Sequence, residues 1–151
     1  MLDTLTHEFF QRHWKIGFGP VPTWCEPWSV RSQGPIPDGD KQGCYFLYIG
    51  ENPIYLGLGA SRGSGIYREH GIGNRLYSHV LCINSSLGVV NNKGFYMPRP
   101  KWQEVTHLRT IGFPSGYGYL APALESFLLN SLPPASTSRN TQRSGSASNF
   151  S

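Results

Sequence analysis

Residues 43–59 read GCYFLYIGENPIYLGLG, two aromatic and apolar runs on either side of Glu51-Asn52-Pro53. Such runs suit paired strands, and Asn-Pro chemistry suits the turn between them. The segment therefore predicts a β-hairpin, residues 43–50 going out and residues 54–59 returning. The two strands carry facing tyrosine–glycine spacings: Gly43-x-Tyr45 at the start of the first and Tyr55-x-Gly57 on the second.

Beyond the hairpin the chain alternates in character. A glycine-rich loop runs from Ala60 to His70. Ile72, Leu76, Val80 and Ile83 then recur at helical spacing and predict a helix over 75–83. Residues 84–100 have no period and read as a surface loop able to meet a ligand. Residues 102–111 (WQEVTHLRTI) partly alternate and suit a third strand. Pro122 suits the first turn of a last helix, whose apolar face is Leu124, Phe127, Leu128 and Leu132 and which ends before Pro133-Pro134. The expected fold is a small α+β domain: a central three-stranded antiparallel sheet flanked by helices.

The chain divides by composition. Residues 1–42 read as an N-terminal extension: a short amphipathic helix with Leu5, Phe9 and Phe10 inward, then a Pro- and Gly-rich connector with packed Trp24 and Trp28. Residues 43–142 hold the motifs, and 143–151, rich in Ser and Asn, read as a disordered tail. With 151 residues the chain suits one compact domain plus tails, and 38% hydrophobic residues are enough for a core. No run approaches the length of a membrane-spanning helix, and the first residues lack the basic start and apolar run of a leader. Cys25, Cys44 and Cys82 are odd in number and widely spaced. They suggest neither a disulfide framework nor a zinc site, and a reducing, cytoplasmic setting is expected.

Charge is uneven. Residues 1–40 hold three basic and five acidic side chains, a net −2, so the remainder carries +6 of the overall +4. The basic part is the part with the motifs, and a basic surface attracts phosphate backbones with little regard to sequence. Arg62, Arg68, Lys93, Lys101, Arg139 and Arg143 are the candidate backbone contacts, although any one of them could be ordinary surface.

Phosphodiester cleavage needs an activated water, a cation against the phosphoryl charge, help for the leaving oxygen and fixed geometry. Arg75 and His79 are one helical turn apart and share a face. Arginine can grip a phosphate with two parallel bonds, and histidine moves a proton at neutral pH. Glu125, near the start of the last helix, is one of only four acids from Lys41 onward. It suits either the helix dipole or Mg²⁺, which commonly takes one or two carboxylates, waters and the substrate's own phosphates. Tyr45 and Tyr55 could relay a proton or simply pack. Asn140 could be tail, or could lock the end of the last helix against the sheet through its amide.

The ordered set Gly43-x-Tyr45, Tyr55-x-Gly57, Arg75-x-x-x-His79, Glu125 and Asn140 resembles the GIY-YIG nuclease superfamily, over about residues 41–142. The Arg-x-x-x-His version is similar to GIY-YIG restriction endonucleases. The resemblance implies a metal-dependent DNA endonuclease with Mg²⁺ (or Mn²⁺) at Glu125. Tyr45, Tyr55, Arg75, His79, Glu125 and Asn140 would form its catalytic set. DNA would be its partner, with a homodimer or two visits for double-strand cleavage. Literal YIG (Tyr48–Gly50) and GIY (Gly65–Tyr67) strings occur in the wrong order and are set aside. Leu58 stands where many members carry lysine, Leu56 where they carry Ile or Val, and Cys44 where they carry an aliphatic residue. A module that keeps the fold and binds nucleic acid without cutting it is the alternative this leaves open.

Overall fold

The computed structural model describes residues 1–84, 86, 89–90 and 93–140. Its elements in chain order are α1 (Leu2–His13), β1 (Trp28–Ser29), β2 (Gln42–Ile49), β3 (Asn52–Gly59), α2 (Gly71–His79), β4 (Leu81–Ile83), β5 (Val89–Val90), β6 (Lys93–Gly94), β7 (Tyr96–Pro98), β8 (His107–Phe113) and α3 (Ala121–Ser131). Among the described residues no helix is long and apolar enough to cross a membrane.

The hairpin of β2 and β3 pairs Gly43 with Gly59, Tyr45 with Gly57 and Leu47 with Tyr55, with a bulge between Leu47 and Tyr48. Opposed residues of an antiparallel pair share a face, so Tyr45 and Tyr55 lie diagonally on one side of the sheet. Neither literal string takes part in this geometry. Tyr48–Gly50 runs off the end of β2 into the turn, where Gly50 has a φ of +60°. Gly65–Tyr67 is a single exposed 3₁₀ turn.

The main sheet has the order β1-β8-β2-β3, all pairs antiparallel. It thus has four strands, one more than the three expected. The extra strand is only two residues long and sits among prolines and glycines, where no alternation can develop. Trp28 pairs with Leu108 and Ser29 with His107.

Strand alternation divides the core in two. Tyr45, Leu47 and Tyr55 face α2, where they meet Ile72, Leu76 and Trp102. Cys44, Phe46 and Leu56 face α1 and α3, where they meet Phe9, Phe10, Leu124 and Leu128. The expected inward face of α1 is therefore packed into the main core. Phe10 lies 5.8 Å from Phe113 and Phe9 5.7 Å from Phe127, centroid to centroid. Trp24 donates its indole N–H to Thr6 Oγ1 at 2.8 Å. Pro122 lies in the first turn of α3, as expected.

Two expectations for the middle of the chain are corrected. The helix read over 75–83 starts earlier, at Gly71, and stops at His79. Leu81–Ile83 leaves helical geometry to pair with Tyr96–Pro98. Cross-strand pairing overrides the local helical period there. The stretch read as an aperiodic loop thus holds β7, together with a short β5–β6 pair.

Helix α2 is fixed at both ends. At its start, Ile72 N–H donates to Lys41 O and Gly73 N–H to Gly39 O, so two first-turn donors are satisfied by the chain before β2. A Cβ at Gly59 would meet the Ile72 backbone, and one at Gly71 would meet Gly59 O. The two glycines let β3 and the first turn of α2 touch. Ile72 and Leu76 are fully buried, a gain of about 1.5–3 kcal/mol for each side chain.

Candidate active site

The last turn of α2 would leave unpaired carbonyls, and one short segment takes them up. Arg99 donates from its backbone N–H to Val80 O, from Nε to Leu81 O at 3.0 Å and from Nη2 to Tyr77 O at 2.6 Å. Trp102 donates from Nε1 to His79 O at 3.1 Å. The buried Trp102 ring also packs on Tyr55, 5.0 Å between centroids. One side chain therefore holds both His79 and Tyr55. Nothing in the sequence flags Trp102 or Arg99, because these bonds join residues about twenty apart that follow no period. Arg99, placed by the sequence pattern in a ligand-facing loop, is instead a brace for the end of α2.

On that fixed helix, Arg75 Nη1 lies 3.0 Å from His79 Nε2. A guanidinium only donates, so in this contact Nε2 is the accepting atom. Arg75 Nε is buried with no hydrogen-bond partner among the described residues. Such an atom carries a desolvation cost of about 1–3 kcal/mol.

Tyr45 and Tyr55 lie 6.2 Å apart, centroid to centroid. The Tyr45 ring occupies the space over Gly57, where a Cβ would collide with its Cζ and Oη. Tyr45 is 1% exposed, and burial pushes its phenol well above the usual tyrosine range. The neighbouring Tyr55 adds to that rise, and the adjacent Arg75 offsets it only in part. Its proton is thus held at neutral pH. Tyr45 is suited to pack behind Tyr55 and Arg75 rather than to accept a proton.

Tyr55, Leu58, Arg75, His79 and Glu125 line one open cleft of about 460 Å³ at the β3 edge of the sheet. They come from a strand and from helices on opposite faces of the sheet, and the edge position lets both faces contribute. Leu58 leaves the cleft without the cation that the family pattern would place there. Asn140 does not line the cleft. Its Oδ1 accepts from Leu56 N–H and its Nδ2 donates to Leu56 O, both at 2.9 Å. It closes the open edge of β3 between Tyr55 and Gly57, which is the lock rather than the tail.

The carboxylate of Glu125 acts on both faces. It contributes to the upward shifts of the Tyr45 phenol and, behind the sheet, the Cys44 thiol, although burial is the main cause in each case. Among the described residues no cluster of three or more His, Cys, Asp or Glu side chains could hold a metal. One carboxylate in an open cleft fits Mg²⁺ or Mn²⁺ bound largely by water and substrate phosphates, and does not fit zinc.

The candidate phosphate contacts differ among themselves. Arg62 pairs with Glu69 at 3.3 Å and Arg139 with Glu104 at 2.9 Å. Such exposed pairs are weak and can exchange partners with a phosphate. Lys101 and Arg139 sit over the Trp102 ring, at 5.3 and 5.8 Å. Arg68 is exposed in the loop before α2. The Lys93 side chain, Arg143 and the expected tail lie outside the described residues.

The buried acids give a stability prediction with a definite sign. Cys44 and Tyr45 are raised in the folded state from ordinary values of 9.0 and 10.0. Above those values the unfolded chain releases protons that the folded chain keeps, so stability is lost as pH rises. Between about pH 7.5 and 8.5 the urea midpoint should be flat, and it should fall beyond that, less steeply in Cys44→Ala. An unchanged slope in the variant would exclude Cys44 as a source.

A second prediction concerns Trp102. Trp102→Phe keeps a ring on Tyr55 and removes the bond to His79. A loss of about 1 kcal/mol is expected in thermal melts. If the cleft is catalytic, kcat should fall on the order of tenfold with KM unchanged. A change in KM alone would contradict the positioning role.

No family model matches the chain, and no curated protein or solved structure matches it either.

Proposed function

We propose that the protein is a metal-dependent DNA endonuclease of GIY-YIG type that hydrolyses phosphodiester bonds. The observation that carries this reading is the meeting of Tyr55, the Arg75–His79 pair and Glu125 in one cleft, with Tyr45 behind it. Those groups supply the roles that attack on a phosphodiester requires.

In this reading the scissile phosphate takes the place that His79 now fills for Arg75. Arg75 turns its guanidinium to the non-bridging oxygens and supplies a fixed positive charge as the phosphorane forms. His79 Nε2, released from Arg75, accepts the proton of the attacking water. The water oxygen bonds to phosphorus, the bond to the 3′ oxygen breaks, and that oxygen takes a proton from solvent, leaving a 5′-phosphate and a 3′-hydroxyl while His79 later returns its proton to solvent. Tyr55 lines the water side of the cleft, and Tyr45 packs behind it. Glu125 would hold the Mg²⁺ or Mn²⁺. When bound there, the cation would offset phosphoryl charge and assist the departing oxygen. One cleft cuts one strand, so a double-strand break takes a second copy or a second encounter.

The test is conversion of supercoiled plasmid to nicked circles by purified protein. Nicking in Mg²⁺ or Mn²⁺, absent in EDTA, is expected. Folded protein that leaves plasmid, branched DNA and single strands intact would refute the activity.

A further inference from the structure

A second cavity, about 850 Å³, opens beside the cleft and is lined by the neighbouring face of α2. Gly73, Asn74 and Tyr77 line it, whereas Asn74, Arg75, Ser78 and His79 line the cleft, so Asn74 forms part of both walls. The other walls include Tyr67 and Tyr96. Two of these rings are open to solvent, Tyr67 at 58% and Tyr77 at 49% exposed.

The charges sort what could enter. Among the described residues no lysine or arginine lines this cavity, but Asp38 and Asp40 do. Asp38 is taken up by Thr110 Oγ1 at 3.0 Å and Lys41 at 3.6 Å. Asp40 is left as the lining carboxylate without such partners among the described residues. A phosphate is repelled there. A nucleobase is not, because it offers two π faces to tyrosines and ring or amino N–H groups to a carboxylate. Cations border it: Lys41 pairs with the lining Asp38, Arg68 follows the lining Tyr67 in the chain, and Arg75 lines the adjoining cleft. Phosphates on the cationic rim and a base among the tyrosines match the layout of a single strand.

We infer that this cavity takes an unstacked nucleobase of the same strand whose phosphate lies against Arg75, so that the preferred substrate is single-stranded or locally opened DNA. The inference rests on the nuclease reading for the position of the phosphate.

The experiment is photocrosslinking of full-length protein, held in EDTA, to single-stranded oligonucleotides carrying 5-iodouracil at successive positions. Crosslinks to Tyr67, Tyr77 or Tyr96 from one or two adjacent positions are expected. Crosslinks that avoid all three tyrosines, or none at any position, would overturn the inference. As a second measurement, the Tyr67→Ala/Tyr77→Ala double variant removes only exposed rings. It should keep the melting temperature and lose on the order of tenfold or more in single-strand affinity, with little change for duplex. Equal losses for both, or no loss, would count against it. Metal-dependent cleavage separates the two ideas. Cleavage without tyrosine crosslinks defeats the base site alone, whereas crosslinks without cleavage of plasmid, branched DNA or single strands leave the base site and defeat the nuclease reading.

Discussion

Replacing Arg75 with alanine is expected to lower the rate of strand cleavage by about a hundredfold or more, with the fold intact. The size of the effect comes from where Arg75 sits. Its Nη1 touches His79, its Nε is buried without a partner among the described residues, and it stands beside the buried Tyr45 hydroxyl. A truncated side chain removes the fixed cation at the heart of the cleft. It also removes an uncompensated buried donor, so stability should change little, in either direction. Lysine restores charge but not the planar fork, and Arg75→Lys should recover only part of the rate. Single-turnover cleavage with circular dichroism as the folding control reads both quantities. Full turnover in Arg75→Ala would show that the cleft is misassigned.

The second large effect is on the hairpin itself. Gly57→Ala is expected to destabilise the protein by about 1–3 kcal/mol or more, because the new methyl has no space except that held by the Tyr45 ring. At about 2–4 °C per kcal/mol for a chain of this size, the melting temperature should fall by several degrees. The cause is specific, so it can be isolated. In a Tyr45→Ala background the ring is gone, and Gly57→Ala should then cost much less than it does alone. Contacting residues are expected to show such non-additivity. Additive losses in the double variant would mean that the glycine is needed for some other reason. The prediction holds whether or not the protein cuts DNA, because it tests why a Tyr-x-Gly strand must face a Gly-x-Tyr strand.

Some of this architecture can be read along the chain because it depends on short-range periods. Strand alternation puts Tyr45 and Leu47 on one face, and helical repeat puts Arg75 beside His79. Pro122 marks the start of the helix that carries Glu125. Other parts have no such signature. β1 is two residues among prolines, and the end of α2 is decided by pairing between Leu81–Ile83 and a strand more than a dozen residues on. Trp102 and Arg99 act through bonds to main-chain carbonyls, which any residue could offer, so composition gives no hint of them. Asn140 reaches its partner Leu56 across 84 residues. An amide at that point in the chain suggests a lock on the sheet, but nothing in the sequence places the lock at the β3 edge beside both Tyr55 and Gly57.

In the proposed function, Glu125 makes this cleft a metal-dependent phosphodiesterase. The most direct measurement is plasmid nicking by Glu125→Ala across a Mg²⁺ and Mn²⁺ titration, with DNA affinity measured in parallel. Nicking lost by about a hundredfold or more, with folding and DNA affinity close to wild type, is the expected result. Wild-type nicking by the variant at the same metal concentrations would contradict it.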